Sequence, residues 1–274
     1  MASEARSAAT AGWDGHILLL YGSETDRMAA FASWVRRGLE NDEKVVCAGT
    51  DAQISDRSVL GPLAGHGIDV TAATAEGRLA VLAVPEFYPP GGQAEIVDQA
   101  LAEGFRRVRI AARERAAAMY LSRRALAERE RALELLCQTR PISALCQYEQ
   151  ASAAGDRLAE LVGSHRNIRQ FQLSSHCANG GMALAGEVDI SNDKLLEHAL
   201  AAAASRVSGT LRLDISQVGF LGAAGCRALD VGTRQFRDGG GHVFLLAPVP
   251  SVEQILRIAG MDQLKHMEVV RGEQ

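Results

Sequence analysis

The chain has 274 residues, 47% hydrophobic and 23% charged, an ordinary globular composition long enough for two domains of usual size. With a formal net charge of -4 and a longest basic cluster of only Arg106-Arg107-Val108-Arg109, it lacks a surface that would track a phosphate backbone, so direct nucleic-acid binding is not expected. No run approaches the roughly 20 apolar residues needed to cross a bilayer, and the opening MASEARSAATAGWDG lacks the apolar centre of a signal peptide, so no membrane contact and a cytoplasmic location are expected.

Residues 16–21 (HILLLY) form a short apolar run, then GSETD makes a turn. A helix follows in which Met28, Phe31, Val35 and Leu39 share one face. A second strand is expected over 44–48 (KVVCA), and Thr50-Asp51 signals a helix that runs out near Gly61-Pro62 or Gly65. A third strand spans 79–84 and closes at Pro85. Gly91-Gly92 opens a helix with Ile96, Ala100 and Leu101 that ends at Gly104, and 108–111 is a fourth strand. Alternation of this kind predicts right-handed βαβ units and a parallel sheet with helices on both faces.

Residues 113–137 read as one long helix, with Met119, Leu126 and Leu133 seven residues apart on one side. That spacing suits packing on the sheet first, with a homodimer or signalling helix as the second reading. Pro141 breaks the helix, and 142–148 (ISALCQY) supplies another strand. An amphipathic helix with Leu158, Leu161 and Val162 then runs into a polar connector, which puts a domain boundary near 167–169.

Beyond it, 171–176 and 182–187 are strand-like and flank Ala178-Asn179-Gly180-Gly181, a hairpin turn. Ser191 or Asn192 can cap a helix carrying Leu195, Leu196, Ala199, Leu200 and Ala203. A central strand (211–215), a helix opening at 222–225 with Cys226, Leu229, Thr233 and Phe236 inward, a strand (242–246) and a helix (252–258) complete the second half.

Three segments of that half, LAGEVDISN (184–192), GTLRLDISQVGFLGAAGCRAL (209–229) and GGGHVFLLAPVPSVEQILRIAGMDQL (239–264), resemble the STAS domain of anti-sigma factor antagonists. The resemblance implies a domain over 170–270, a mixed sheet with helices packed on one face. It also implies an anti-sigma factor or serine-kinase-type partner that docks on a helix tip. The matching positions are Gly222, Ala223, Ala224, Gly225 and Cys226, with Asp189, Ser191 and Asn192 from the neighbouring loop. In that family an Asp-Ser-Ser/Thr-Gly stretch accepts phosphate, whereas this chain has Gly222-Ala223-Ala224-Gly225 and no hydroxyl to modify.

The first half resembles the MEDS domain of methanogen, methylotroph and dichloromethane-repressor sensory proteins. The segments that carry the resemblance are HILLLY, GLENDEKVVCAGTD, GFRRVRIA, ALCQYEQ (144–150) and LVGSHRN (161–167). It implies an α/β architecture, a RecA/KaiC-like parallel-sheet domain over 14–168, that senses small hydrocarbon-like compounds through His16, Tyr21, Cys146, Tyr148 and His165. Tyr21 and Tyr148, at strand ends, are expected to line one crevice. One departure is at Arg113, where relatives often carry an acidic residue.

The loop GSETDRM lacks the glycines and the Lys-Ser/Thr of a phosphate-cradling loop, so Ser23 and Thr25 read as helix caps and no nucleotide cofactor is expected. The five cysteines include no C-x-x-C pair. His16, Cys47 and Cys146 therefore read as packing residues, with no metal and no catalytic residue. The sequence thus points to a non-enzymatic signalling regulator, with a constitutive scaffold lacking any ligand as the alternative.

Overall fold

A computed structural model describes residues 14–49, 59–178 and 180–272. The chain forms two compact units, one up to residue 153 and one from residue 154. The first contains β1 (His16–Tyr21), α1 (Glu24–Glu40), β2 (Lys44–Gly49), α2 (Leu60–Gly65), α3 (Val70–Ala75), β3 (Leu79–Ala83) and α4 (Val84–Phe87). It continues with α5 (Gln93–Ala102), β4 (Val108–Arg113), α6 (Glu114–Ala117), α7 (Arg123–Thr139) and β5 (Ile142–Glu149).

Its strands run parallel in the order β1-β5-β4-β2-β3. Strand side chains alternate between faces. Ile17, Leu19, Val45, Cys47 and Leu79 enter one core with Phe31, Trp34 and Val35 of α1 and Leu63 of α2. The other face, with Leu18, Ile110, Ala144 and Cys146, is covered by α5 and α7. Because both faces of β1 are buried, its residues 17–20 read as an apolar run without alternation. Arg109 is buried against Trp34, its guanidinium 5.1 Å from the ring centre, and pairs with Glu43 and with Asp14 at 2.7 Å.

The second unit contains α8 (Asp156–Ser164), β6 (Asn167–Arg169), β7 (Leu173–Ala178), β8 (Gly181–Val188), α9 (Asp193–Ala204), β9 (Thr210–Leu221), α10 (Ala223–Asp238), β10 (His242–Leu246), α11 (Pro250–Ile258) and β11 (Met267–Val270). β6, β7 and β8 pair antiparallel; β8 to β11 pair parallel. Along β9, Leu211, Leu213 and Ile215 are buried while Thr210, Arg212 and Asp214 are exposed, so this mixed sheet has helices α9, α10 and α11 on one face.

Several expectations change. Residues 113–137 are not one helix: α6 ends at Ala117 and α7 starts afresh, with the Ser122 hydroxyl accepting from the Ala125 amide at its N-cap. Met119 falls in the turn between them and is 72% exposed, whereas Leu126 and Leu133 are buried, so the seven-residue stripe loses its first member. Residues 167–169 are not a connector but a strand, because their backbone pairs with 174–176. β9 runs on to Leu221 and β11 follows α11, both beyond the expected elements. Thr50-Asp51 and Asn179 lie outside the described residues, while Gly180 has the positive φ of +80 that the hairpin turn requires.

Candidate functional site

The parallel register of β1 and β5 sets His16 opposite Ala144, Leu18 opposite Cys146 and Leu20 opposite Tyr148, so His16, Cys146 and Tyr148 share the sheet face beneath α7. Glu130 and Glu134, four residues apart on α7, project from one side of that helix. His16 Nε2 lies 3.0 Å from Glu130 Oε2 and 3.3 Å from Cys146 Sγ, and its Nδ1 lies 3.2 Å from Glu134 Oε2. The Cys146 thiol donates to Glu130 Oε2 at 3.1 Å and the Tyr148 hydroxyl to Glu130 Oε1 at 2.7 Å. His16 and Tyr148 are each 2% exposed, which makes this a buried polar cluster and not the apolar packing expected of His16 and Cys146.

Burial opposes charge on His16, but hydrogen bonds to Glu130 and Glu134 outweigh it and hold the imidazolium pKa up at about 9. Burial, reinforced by the Glu130 carboxylate, pushes the Cys146 thiol and the Tyr148 phenol well above their ordinary ranges. Cys146, His16 and Glu134 have the outline of a cysteine–histidine–carboxylate triad. Nucleophilic catalysis needs the thiolate, however, and here Glu130 sits beside both reacting atoms and disfavours it. His16, Glu130 and Cys146 also bring metal-ligating atom types within 4.8 Å of one another.

Glu130 was missed by sequence reasoning, yet the signal was there: Leu126, Glu130 and Leu133 form an i, i+4, i+7 stripe that is buried, with a carboxylate in the middle. Tyr21 does not share a crevice with Tyr148. It is paired with Glu149 in the register and faces the α1 side, where Arg27 and Arg113 lie 5.9 and 6.0 Å over its ring. Sheet alternation is the reason: neighbouring residues along a strand point to opposite faces. His165 belongs to the second unit, at the end of α8, with Nδ1 2.7 Å from the Leu161 carbonyl oxygen.

Beside the cluster is a narrow, partly open recess with room for about one water-sized molecule, whose wall includes Phe87, Ile110, Leu126 and Leu133, with Tyr88, Gln93, Arg129, Glu130 and Cys146 as its polar groups. Gln93 Nε2 is buried there and has no hydrogen-bond partner among the described residues. The loop after β1 holds acidic groups where a nucleotide site would need cations and bare amides. Ser23 Oγ accepts from the Asp26 amide, and Glu24 pairs with Arg27 and Arg113.

In the second unit, the Gly222 amide donates to the Val188 carbonyl at 2.8 Å, tying the start of α10 to the 189–192 loop. Asp189 Oδ1 accepts from the Ser191 amide and hydroxyl at 2.7 and 2.6 Å, and the Ser191 hydroxyl is also 3.0 Å from Gln172 Oε1. These bonds from Ser191 hold the Asp189 carboxyl below its usual range. Asn192 does not cap α9 with its side chain; that amide accepts from the Asp189 amide and donates to the Glu187 carbonyl.

Of the eight positions expected at this surface, Asn192, Gly225 and Cys226 are buried and serve the architecture. Asp189, Ser191, Gly222, Ala223 and Ala224 reach solvent. Two apolar side chains that the sequence reading did not select flank them, Ile190 at 83% and Phe220 at 51% exposed.

Residues 15–166 match the family described as MEDS, the methanogen/methylotroph, DcmR sensory domain, and residues 171–270 match the family described as Mlab, STAS domain. No curated protein matches the chain. Among solved structures, an anti-sigma factor antagonist from Mycobacterium paratuberculosis is 22% identical over 35% of this chain and 84% of its own, with a TM-score of 0.31. A putative anti-sigma factor antagonist from Thermotoga maritima is 16% identical over 36% and 86%, with a TM-score of 0.32. A KaiC-like protein from Pyrococcus horikoshii is 15% identical over 63% and 78%, with a TM-score of 0.42.

Proposed function

The chain belongs to the MEDS family and carries a STAS domain, and from this premise we propose that it is a non-enzymatic signal-transduction regulator whose STAS unit docks an anti-sigma factor or serine-kinase-type protein. The observation that carries the proposal is the tip of α10. Ala223 and Ala224 carry the first-turn amides at the solvent-facing end of the helix with no side chain capping them, residues 222–225 carry no hydroxyl for phosphate, and exposed Ile190 and Phe220 flank them with apolar surface. A tip that cannot be phosphorylated hands regulation to the rest of the chain.

The domains of this reading are 14–168 for sensing and 170–270 for docking. The recess beneath α7 has the lining that a small, mostly apolar molecule would take, aliphatic and aromatic with a few polar groups at one side, and a ligand larger than water would enter by widening it. This favours a sensor over the alternative, a constitutive scaffold with no ligand. Coupling then requires the ligand to prefer one of two partner-binding states.

The test is affinity of the full chain for its cognate anti-sigma protein, compared with Ala223→Asp. A carboxylate at the first helical position stabilises the helix by about 0.3–1 kcal/mol, so weaker binding by a variant at least as heat-stable as the parent marks the tip as the docking surface. Unchanged affinity removes that surface from the proposal. Affinity that no small halogenated or hydrocarbon compound alters leaves the scaffold.

A further inference from the structure

We propose that His16 Nε2, Glu130 Oε2 and Cys146 Sγ form a binding site for a transition-type divalent cation, with Zn2+, Co2+ or Fe2+ as the class of ion. This goes beyond the docking reading and does not depend on it.

The three donors are separated from one another by 3.0, 3.1 and 3.3 Å. For bonds of about 2.0–2.3 Å to nitrogen, oxygen and sulfur, tetrahedral angles put neighbouring ligand atoms roughly 3.3–3.6 Å apart. An ion therefore fits after the donors spread by a few tenths of an ångström, which side-chain rotations of Glu130 and Cys146 supply. Thiolate with imidazole and one carboxylate is a borderline-soft set that disfavours Mg2+ and Ca2+.

The surroundings independently match what a metal-binding histidine needs. Its second nitrogen, Nδ1, faces the Glu134 carboxylate at 3.2 Å, the arrangement that fixes the tautomer and makes Nε2 the ligating atom. Glu130 has its second oxygen held by the Tyr148 hydroxyl at 2.7 Å, leaving Oε2 turned toward His16 and Cys146. Thus each oriented donor is steered by a group that does not itself ligate.

Charge also balances. Binding displaces one proton from His16 Nε2 and one from the Cys146 thiol, and the thiolate and the Glu130 carboxylate then neutralise the dication in a buried site. Glu130 and Cys146 also line the recess, so a small molecule entering it meets two of the three donor-bearing residues.

The test uses the full chain, stripped with a chelator, shown by circular dichroism to remain folded, and titrated with Co2+. One Co2+ per chain and a sulfur-to-cobalt charge-transfer band are expected. The band is lost in Cys146→Ser and kept in Cys47→Ser, whose thiol lies on the opposite sheet face.

Glu134→Gln, a substitution at a group that only positions His16, should weaken Co2+ binding by roughly 10–100-fold with the band retained. That variant decides the matter if Cys146→Ser does not fold. Absence of stoichiometric Co2+ in the folded chain, a band that survives Cys146→Ser, or full affinity in Glu134→Gln overturns the proposal.

Discussion

Gly186, at the bulge of β8, has φ +105, and a Cβ built on it would lie 2.0 Å from the carbonyl oxygen of Gln172. In Gly186→Ala the two atoms must part by more than about 1 Å to reach a C···O contact near 3.3 Å. The Gln172 carbonyl cannot simply retreat, because it accepts from the Glu187 amide at 2.8 Å. The left-handed backbone costs an alanine about 1–2 kcal/mol, and loss of the Glu187 bond adds about 1 kcal/mol. The sum, roughly 2–3 kcal/mol, lowers the melting temperature of a domain of this size by on the order of 10 °C.

Two other glycines calibrate the result. Gly209 has φ +77 and open space around its Cβ position, so Gly209→Ala meets the strain without the clash. Gly163 is helical and equally open, so Gly163→Ala should stabilise by about 0.5–1 kcal/mol. Thermal unfolding followed by circular dichroism ranks the three. If Gly186→Ala melts no lower than Gly209→Ala, the close approach of β8 to Gln172 is wrong. The placement of Ser191 beside Gln172, which helps shape the docking loop, then goes with it.

Three further outcomes are expected. Arg109→Met leaves the buried carboxylate of Glu43 with only Arg107, 3.4 Å away and half exposed, and should cost up to about 3–5 kcal/mol; the double variant Arg109→Met with Glu43→Gln recovers much of it in denaturant titrations, and equal losses refute a buried pair. Burial pushes the Cys47 thiol up to about 12, so in the folded chain it should resist a thiol reagent at pH 8 that labels it fully in denaturant; prompt native labelling contradicts its burial.

The third outcome concerns pH. The hydrogen bond from Arg27, ahead of the opposing effect of burial, holds the Glu24 carboxyl below its usual range, so its folded pKa is lower than its unfolded one. Its contribution is complete above the unfolded pKa and is lost as pH falls through the folded value. Stability curves of Glu24→Gln and the parent should therefore differ at neutral pH and converge in acid; a gap independent of pH refutes the pairing.

The candidate sites were legible in the sequence to different depths. The Gly222–Ala224 tip could be found because turn chemistry and a helix start are local: a few neighbouring residues determine them. The metal-type cluster could not, since residue types alone do not say that position 130 of a helix lies over positions 16 and 146 of two strands. His16 and Cys146 were found through the family resemblance and their partner Glu130 was not, although a carboxylate inside an apolar stripe marked it. The expected crevice shared by Tyr21 and Tyr148 failed on a difference of one residue in register, which reverses the sheet face a side chain occupies.

By itself the sequence determined the α/β character of both halves, the parallel alternation of the first and the absence of a modifiable hydroxyl at the tip of α10. These follow from periodicity, turn residues and side-chain identity, all short-range properties of the chain. Only the tertiary structure decided which side chains share a face, that Asn192, Gly225 and Cys226 are buried, and that two strands and one helix bring His16, Cys146, Tyr148 and Glu130 together. The physical reason is that strand order and register depend on the burial of whole faces against one another, a condition no local segment contains.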